Sequence, residues 1–118
     1  MVRTGLLYDF YGGLLTDKQR QAMELYYLEN WSLAEIADAG GVSKQAVHDL
    51  IQRSERIIEE LESKLGLLQR FMDQQSALRR ISKQLQQVAA AFPENSPQLK
   101  TLIEINRAIL RLAEAEME

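Results

Sequence analysis

The chain has 118 residues and a formal net charge of −3, so it can form one compact domain, or a small domain with an appended helical pair, around one modest core. Because there is no cysteine and only one histidine, disulfides, thiolate metal sites, a cysteine nucleophile and most histidine-rich metal clusters are excluded. There is also no run of 18 apolar residues and no secretory signal pattern, so we predict a cytoplasmic protein without membrane insertion.

Few glycines and prolines and no alternating Val/Ile/Thr-rich runs predict an all-α fold. The helix start signals are polar N-cap residues, two of them in capping boxes: Thr16 with Gln19, Ser32 with Glu35, Ser43, and Ser96 before Pro97. Together with the apolar spacing they predict helices near 3–11, 17–29, 33–39, 44–65, 67–92 and 97–117.

Two breaks organise the second half of the chain. The stretch "FPENSP", residues 92–97, brackets polar turn formers with two prolines. Gly66 either ends the fourth helix as a left-handed cap or lies within one long helix. We therefore predict a helix-turn-helix domain over residues 1–65 and a C-terminal amphipathic helical hairpin, serving interaction or dimerisation, over residues 66–118.

The stretch "SLAEIADAGGVSKQAVHDLIQR", residues 32–53, has the spacing of a helix-turn-helix. Two helices can cross over so short a turn only if a small residue lies at the contact and the turn tolerates unusual backbone angles, which Ala37 and the pair Gly40-Gly41 allow. A generic helical hairpin is the alternative. We expect the following residues to form the core around this turn: Ile36, Ala37, Val42, Val47, Leu50, and upstream Met23, Leu25, Tyr26 and Leu28, with Trp31 closing the end of their helix.

A second helix lying in the major groove would direct its early exposed residues at base edges and its later cations at phosphates. The candidate base readers are Lys44, Gln45 and His48, since lysine can donate to guanine and glutamine can bond adenine in bidentate fashion. The full predicted DNA-binding set is Lys44, Gln45, His48, Gln52, Arg53 and Arg56. In the competing interpretation these residues are merely solvated, and the arginines pair with Asp49, Glu59 or Glu60 at helical spacing.

Charge argues against tight DNA binding. Residues 16–70 hold seven Lys/Arg and ten Asp/Glu, a net charge of −3 on the segment that should approach phosphate. Because phosphate neutralisation supplies most nonspecific affinity, we expect no duplex binding tighter than the micromolar range at about 150 mM salt.

The last two predicted helices carry apolar stripes at heptad spacing. The first stripe comprises Phe71, Leu78, Leu85 and Phe92, with Leu67, Ile81 and Val88 between them and Gln74 in a polar position. The second comprises Leu99, Ile103, Leu110, Ala113 and Met117, with Asn106 in the middle and Leu102 and Ile109 beside it. The stripes either pack on each other as an antiparallel hairpin or pair with a second chain. A two-helix hairpin has little core of its own, so we expect a homodimer.

Residues 6–65 resemble the YlxM-like family of small bacterial proteins in the segments "YDFYG", "LLTDKQR", "ELYYLE", "SLAEIA" and "VSKQAV". The helix-turn-helix of that family is similar to region four of sigma factors, within the winged-helix-like class of DNA-binding domains. The resemblance implies a DNA-binding regulatory protein associated with the signal recognition particle pathway. The chain departs from the family pattern at Gly40 and Gly41, where a large apolar residue and a polar turn former are usual, and at His48, which replaces an aromatic residue.

No residues have the spacing of a catalytic site. The lone histidine has no placement beside a nucleophile, and "YGGLL" lacks the Lys-Ser/Thr of a nucleotide-binding loop. We therefore expect no enzyme activity, catalytic residue, metal or cofactor. Two functional classes remain: a DNA-binding regulator, and a module that binds the protein or RNA of the signal recognition particle with little or no DNA binding.

Overall fold

The computed structural model describes residues 2–114, which form six α-helices and no strand, confirming the all-α prediction. The helices are Val2–Tyr11 (α1), Asp17–Met23 (α2), Leu33–Gly40 (α3), Lys44–Leu65 (α4), Leu67–Ala89 (α5) and Pro97–Ala113 (α6). A 3₁₀ turn, Gly12–Leu14, follows α1, and a π-helical turn, Glu24–Leu28, prolongs α2. Within the described residues, no helix is both long and apolar enough to cross a membrane.

The predicted helix starts are confirmed by capping hydrogen bonds. Each of these bonds joins residues only three positions apart, so the sequence was sufficient to predict them. The Thr16 hydroxyl accepts from the Gln19 amide at 3.2 Å, and the Gln19 side chain accepts from the Thr16 amide at 3.0 Å. Ser32 and Glu35 form the same reciprocal pair, and the hydroxyls of Ser43 and Ser96 cap α4 and α6. The fifth helix, predicted to reach residue 92, ends at Ala89 in tighter turns. The predicted position of Met117 lies outside the described residues.

The chain divides into two compact units, one ending at Leu68 and the other beginning at Gln69. The first unit encloses one hydrophobic core, to which α1, α2, α3, α4 and the first residues of α5 contribute. Its buried members are Leu7, Tyr11, Leu15, Ala22, Met23, Ile36, Ala37, Val47, Ile51, Ile58 and Leu68.

Two residues predicted for this core point to solvent instead, so that part of the prediction was wrong. Val42 lies in the bend after α3, where it is 53% exposed and only lines a shallow depression with Ile36 and Val47. Leu28 is 56% exposed. It ends the π-helical turn, whose wider spacing rotates it away from the buried side that an α-helix would give it.

The second unit is an antiparallel pair of α5 and α6. The Ser82 hydroxyl donates to Asn106 Oδ1 at 2.5 Å, and Gln75 Nε2 donates to the Leu112 carbonyl at 3.2 Å. These two bonds join early residues of α5 to late residues of α6 and later residues of α5 to the middle of α6. The predicted hairpin is thus present within residues 69–114.

The predicted stripe of α5 is only half correct. Phe71, Leu78 and Leu85 are partly buried, but four predicted members of the stripe are exposed: Leu67, Ile81, Val88 and Phe92. Gln75, Ser82 and Ala89 lie on the covered side instead. A seven-residue repeat does not determine which of the two adjacent rows packs against the partner helix. In α5 it is the row with Gln75 and Ser82, whose side chains form hydrogen bonds with α6. The covered row of α6 comprises Leu99, Leu102, Asn106, Ile109 and Ala113, whereas Ile103 is exposed.

Candidate nucleic-acid interface

The predicted helix-turn-helix is present as α3, a short turn and α4. Gly41 ends α3 in the left-handed conformation, with φ +65° and ψ 32°, and its amide donates to the Ala37 carbonyl. Two residues later Ser43 caps α4, so the chain reverses within a short bend rather than continuing as one helix. Ala37 and Val47 are both buried, which places the small side chain in the core shared by the two helices.

All six predicted DNA-binding residues are exposed. Lys44, Gln45 and His48 line one shallow depression together with Leu33, the first residue of α3. Gln52, Arg53 and Arg56 follow on the next turns of α4 and are also exposed. Lys44 and Arg56 are twelve residues apart, about 18 Å along a helix, so this candidate surface is as long as half a turn of duplex DNA.

Asp49 lies within this surface and engages two of the candidate base readers. Its Oδ1 atom accepts from Gln45 Nε2 at 2.9 Å and lies 3.6 Å from His48 Nδ1. Gln45 must therefore leave Asp49, or be oriented by it, before its amide can reach a base edge. A carboxylate at this position can itself accept a hydrogen bond from cytosine N4. Asp49 therefore belongs to the candidate surface, whereas the sequence analysis had counted it only as an unfavourable charge.

The alternative that Arg53 and Arg56 pair with neighbouring acids is wrong. Within residues 2–114, neither arginine makes an ion pair. Glu59 instead binds Arg3 of α1, with two hydrogen bonds of 3.1 and 3.0 Å. Both arginines are therefore available to phosphate.

Three glutamates of the acidic segment are bound by tyrosine hydroxyls. Tyr8 donates to Glu24 at 2.5 Å and Tyr11 donates to Glu62 at 2.6 Å. Tyr27 donates to Glu55. Burial, followed by the bond to the carboxylate, raises the pKa of each tyrosine, so the hydroxyls stay protonated as donors. These pairs join residues distant in sequence, which local spacing does not reveal.

The charge near early α4 therefore depends on where each acidic side chain lies, and the net charge of the whole segment does not describe it. Residues 44–56 hold three Lys/Arg and two Asp/Glu, a net charge of +1. Of the two acids only Asp49 is exposed, since Glu55 is half-buried against Tyr27. The exposed side of early α4 is consequently less acidic than the −3 of residues 16–70 indicates.

The two units also differ in charge, which the sequence reasoning missed. Residues 2–68 hold seven Lys/Arg and eleven Asp/Glu, a net charge of −4, whereas residues 69–114 hold seven and four, a net charge of +3. On the hairpin, Arg79 lines a depression that includes Glu114, and Arg107 and Arg111 line another that includes the same residue. These three arginines define what we call the basic face of the hairpin.

Comparison with known proteins identifies the family of the chain. The model of the YlxM / p13-like helix-turn-helix family matches residues 1–96. The chain belongs to this family. The family match thus includes the whole helix-turn-helix and α5, and α6 lies beyond it.

Three bacterial relatives illustrate the similarity. The UPF0122 protein of Symbiobacterium thermophilum is 59% identical over 66 residues, which cover 56% of this chain and 62% of that protein. The UPF0122 protein of Anoxybacillus flavithermus is 42% identical over 105 residues, 89% of this chain and 93% of that one. The UPF0122 protein of Thermoanaerobacter sp. is 44% identical over 108 residues, 91% of either chain.

Proposed function

We propose that the protein is a cytoplasmic regulator that binds duplex DNA, with α4 as the helix that enters the major groove. One observation carries the proposal. The exposed residues of α4 between Lys44 and Arg56 include three cations and three further hydrogen-bonding side chains, and Asp49 is the one acid among them. The role is one of binding rather than catalysis.

The chemistry of this surface is suited to direct readout. Lys44, Gln45 and His48 lie on the first turns, where recognition helices contact base edges. Arg53 and Arg56 lie further along and have no protein partner within residues 2–114, so they can bind phosphate without first breaking an ion pair.

The affinity of one copy should nevertheless be low. The unit that carries α4 has a net charge of −4, so long-range attraction to DNA is weak and the few cations of α4 supply most of the counterion release. We expect single-site dissociation constants in the micromolar range or weaker at about 150 mM salt.

The test is a fluorescence-anisotropy titration of duplex DNA, from a random-sequence pool enriched on the protein, at two salt concentrations. We expect binding that weakens steeply with salt and is abolished in the double variant Lys44→Glu, Arg53→Glu. The matched control is Lys18→Glu, Lys64→Glu, which makes the same change in net charge outside the early turns of α4. Equal loss in both double variants, or no salt-dependent binding by the wild type, would refute the proposal.

A second candidate is an RNA- or protein-binding module of the signal recognition particle, the pathway that the family resemblance implies. The net charge of +3 on residues 69–114 and the basic face of the hairpin favour an RNA partner. Under this candidate, Arg79→Glu with Arg107→Glu reduces binding to structured RNA, whereas Lys44→Glu with Arg53→Glu leaves it unchanged. The same titration with RNA in place of DNA distinguishes the two functions.

A further inference from the structure

The α5–α6 hairpin leaves one side of exposed apolar residues beside its covered seam. On α5, Ile81 and Val88 are seven residues apart and both exposed. On α6, Ile105 and Leu112 are likewise seven apart and exposed. Residues seven apart lie on the same side of a helix, so each helix presents an apolar row next to the seam.

The two rows lie on the same face of the hairpin. The opposite side of α5, with Met72 and Arg79, shares a depression with Glu114 of α6, and Glu114 shares another with Ile103 and Arg107. Those sides therefore form the basic face. Because α5 and α6 are antiparallel, the remaining two sides form the other face. We call this the apolar face, made of the exposed Ile81, Val88, Ile105 and Leu112 and bordered by the partly covered Leu102 and Ile109 of the seam.

Charge is segregated between the two faces. At helical spacing, none of the charged residues between 77 and 92 or between 98 and 112 falls on the apolar face; they lie on the basic face or on the outer edges of the helices. Arg70 lies on the same side of α5 as Val88, but about three turns before Ile81. A charged partner would find nothing to pair with here. Two copies of this face, by contrast, can meet without bringing like charges together, which favours a second copy of the same chain.

The size of the apolar face is also consistent with a second copy of the same chain as its partner. A helix of 17 residues such as α6 is about 25 Å long and two packed helices are about 20 Å wide, so two copies would bury on the order of 1,200 Å² in total. That is the lower limit of a specific interface. Four helices would then enclose a common core, which two helices cannot do alone.

We propose that the protein forms a two-fold homodimer in which the apolar faces of two hairpins pack together as a four-helix bundle. The basic faces then point away from each other, and each protomer keeps its own helix-turn-helix. This proposal does not depend on the ligand of α4.

Two neighbouring isoleucines provide a matched test. Ile105 is 45% exposed on the apolar face, and Ile103 is 47% exposed on the basic face. We expect sedimentation velocity of the full chain over a range of concentrations to give a dimer for the wild type and for Ile103→Glu. We expect Ile105→Glu to raise the dimer dissociation constant by at least about 30-fold, because each copy would bury an unpaired carboxylate. A wild type that stays monomeric at all concentrations, or equal effects of the two variants, would overturn the proposal.

A second measurement guards against misfolding of the glutamate variant. The chain has no cysteine, so Ile105→Cys and Ile103→Cys each carry a single thiol and introduce no charge. We expect a short bismaleimide to cross-link Ile105→Cys into covalent dimers and to leave Ile103→Cys monomeric on a denaturing gel, with both variants retaining wild-type helicity. Cross-linking of both or of neither would contradict the proposed interface.

Discussion

Tyr11 is the residue on which the junction between α4 and α5 depends. Its hydroxyl donates to Glu62 Oε1 at 2.6 Å and accepts from the Leu67 amide at 3.2 Å. Glu62 Oε1 also accepts from the Leu68 amide at 3.0 Å. The first amides of a helix have no partner within the helix, so Tyr11 and Glu62 together supply the acceptors that a single N-cap residue provides elsewhere.

We predict that Tyr11→Phe lowers the free energy of unfolding by about 1–3 kcal/mol, because it removes one hydrogen bond from the buried Glu62 carboxylate and takes away the acceptor of the Leu67 amide. Urea denaturation followed by circular dichroism measures the effect. Tyr26→Phe is the matched control, because the Tyr26 hydroxyl makes no hydrogen bond within residues 2–114 and its ring contact with Tyr27 survives the change.

The effect should depend on pH in one direction. Burial raises the pKa of Tyr11 above its ordinary value in the folded protein, whereas the unfolded chain titrates near pH 10. The folded state therefore binds the proton more tightly, and this contribution is complete below about pH 10 and is lost as the pH rises through the folded pKa. The stability difference between wild type and Tyr11→Phe should be constant below about pH 10 and narrow as the pH rises above it; a difference that stays constant above pH 10 would contradict this account.

At the scale of the element, the helix-turn-helix depends on one glycine rather than on the predicted pair. Gly41 has φ +65°, in the left-handed region that side chains disfavour. Gly40 is the last residue of α3, and a β-carbon there would meet Val42 at an ordinary 3.7 Å. The bend between α3 and α4 therefore requires glycine at position 41, and Gly40 is replaceable.

We predict opposite effects for two Gly→Ala substitutions. Gly41→Ala should lower the free energy of unfolding by about 1–2 kcal/mol, because alanine is strained in the left-handed conformation although the space around it is open. Gly5→Ala should raise it by up to about 1 kcal/mol, because Gly5 lies inside α1 with nothing near its β-position. Thermal or urea unfolding measures the change in the free energy of unfolding for both variants. A stabilised Gly41→Ala variant would show that the bend does not require glycine at position 41.

At the scale of the whole molecule, the chain combines an acidic helix-turn-helix unit with a basic hairpin. The net charge of −4 for residues 2–68 and the net charge of +3 for residues 69–114 largely cancel, so the net charge of −3 for the chain does not reveal the difference. If the hairpin dimerises as proposed, each molecule carries two α4 helices. Two weak contacts on one DNA then act together, because the second forms at a high effective concentration.

We therefore predict that Ile105→Glu weakens binding to an enriched DNA carrying two half-sites by about tenfold or more, although it changes no residue of α4. Ile103→Glu should bind like the wild type. Anisotropy titrations of the three proteins on one DNA provide the measurement, and a DNA with a single half-site serves as the control on which all three should agree. Equal affinities on the two-site DNA would mean that each α4 acts alone.

Helix starts and the turn between α3 and α4 were predictable from the sequence, because capping and left-handed glycine conformations depend on residues within three or four positions. The exposure of Lys44, Gln45 and His48 followed from the same local spacing. Local spacing did not reveal the bonds from Tyr8, Tyr11 and Tyr27 to distant glutamates, nor the row of α5 that packs on α6. Those features depend on which helices approach each other, so they required the packing of residues far apart in the chain.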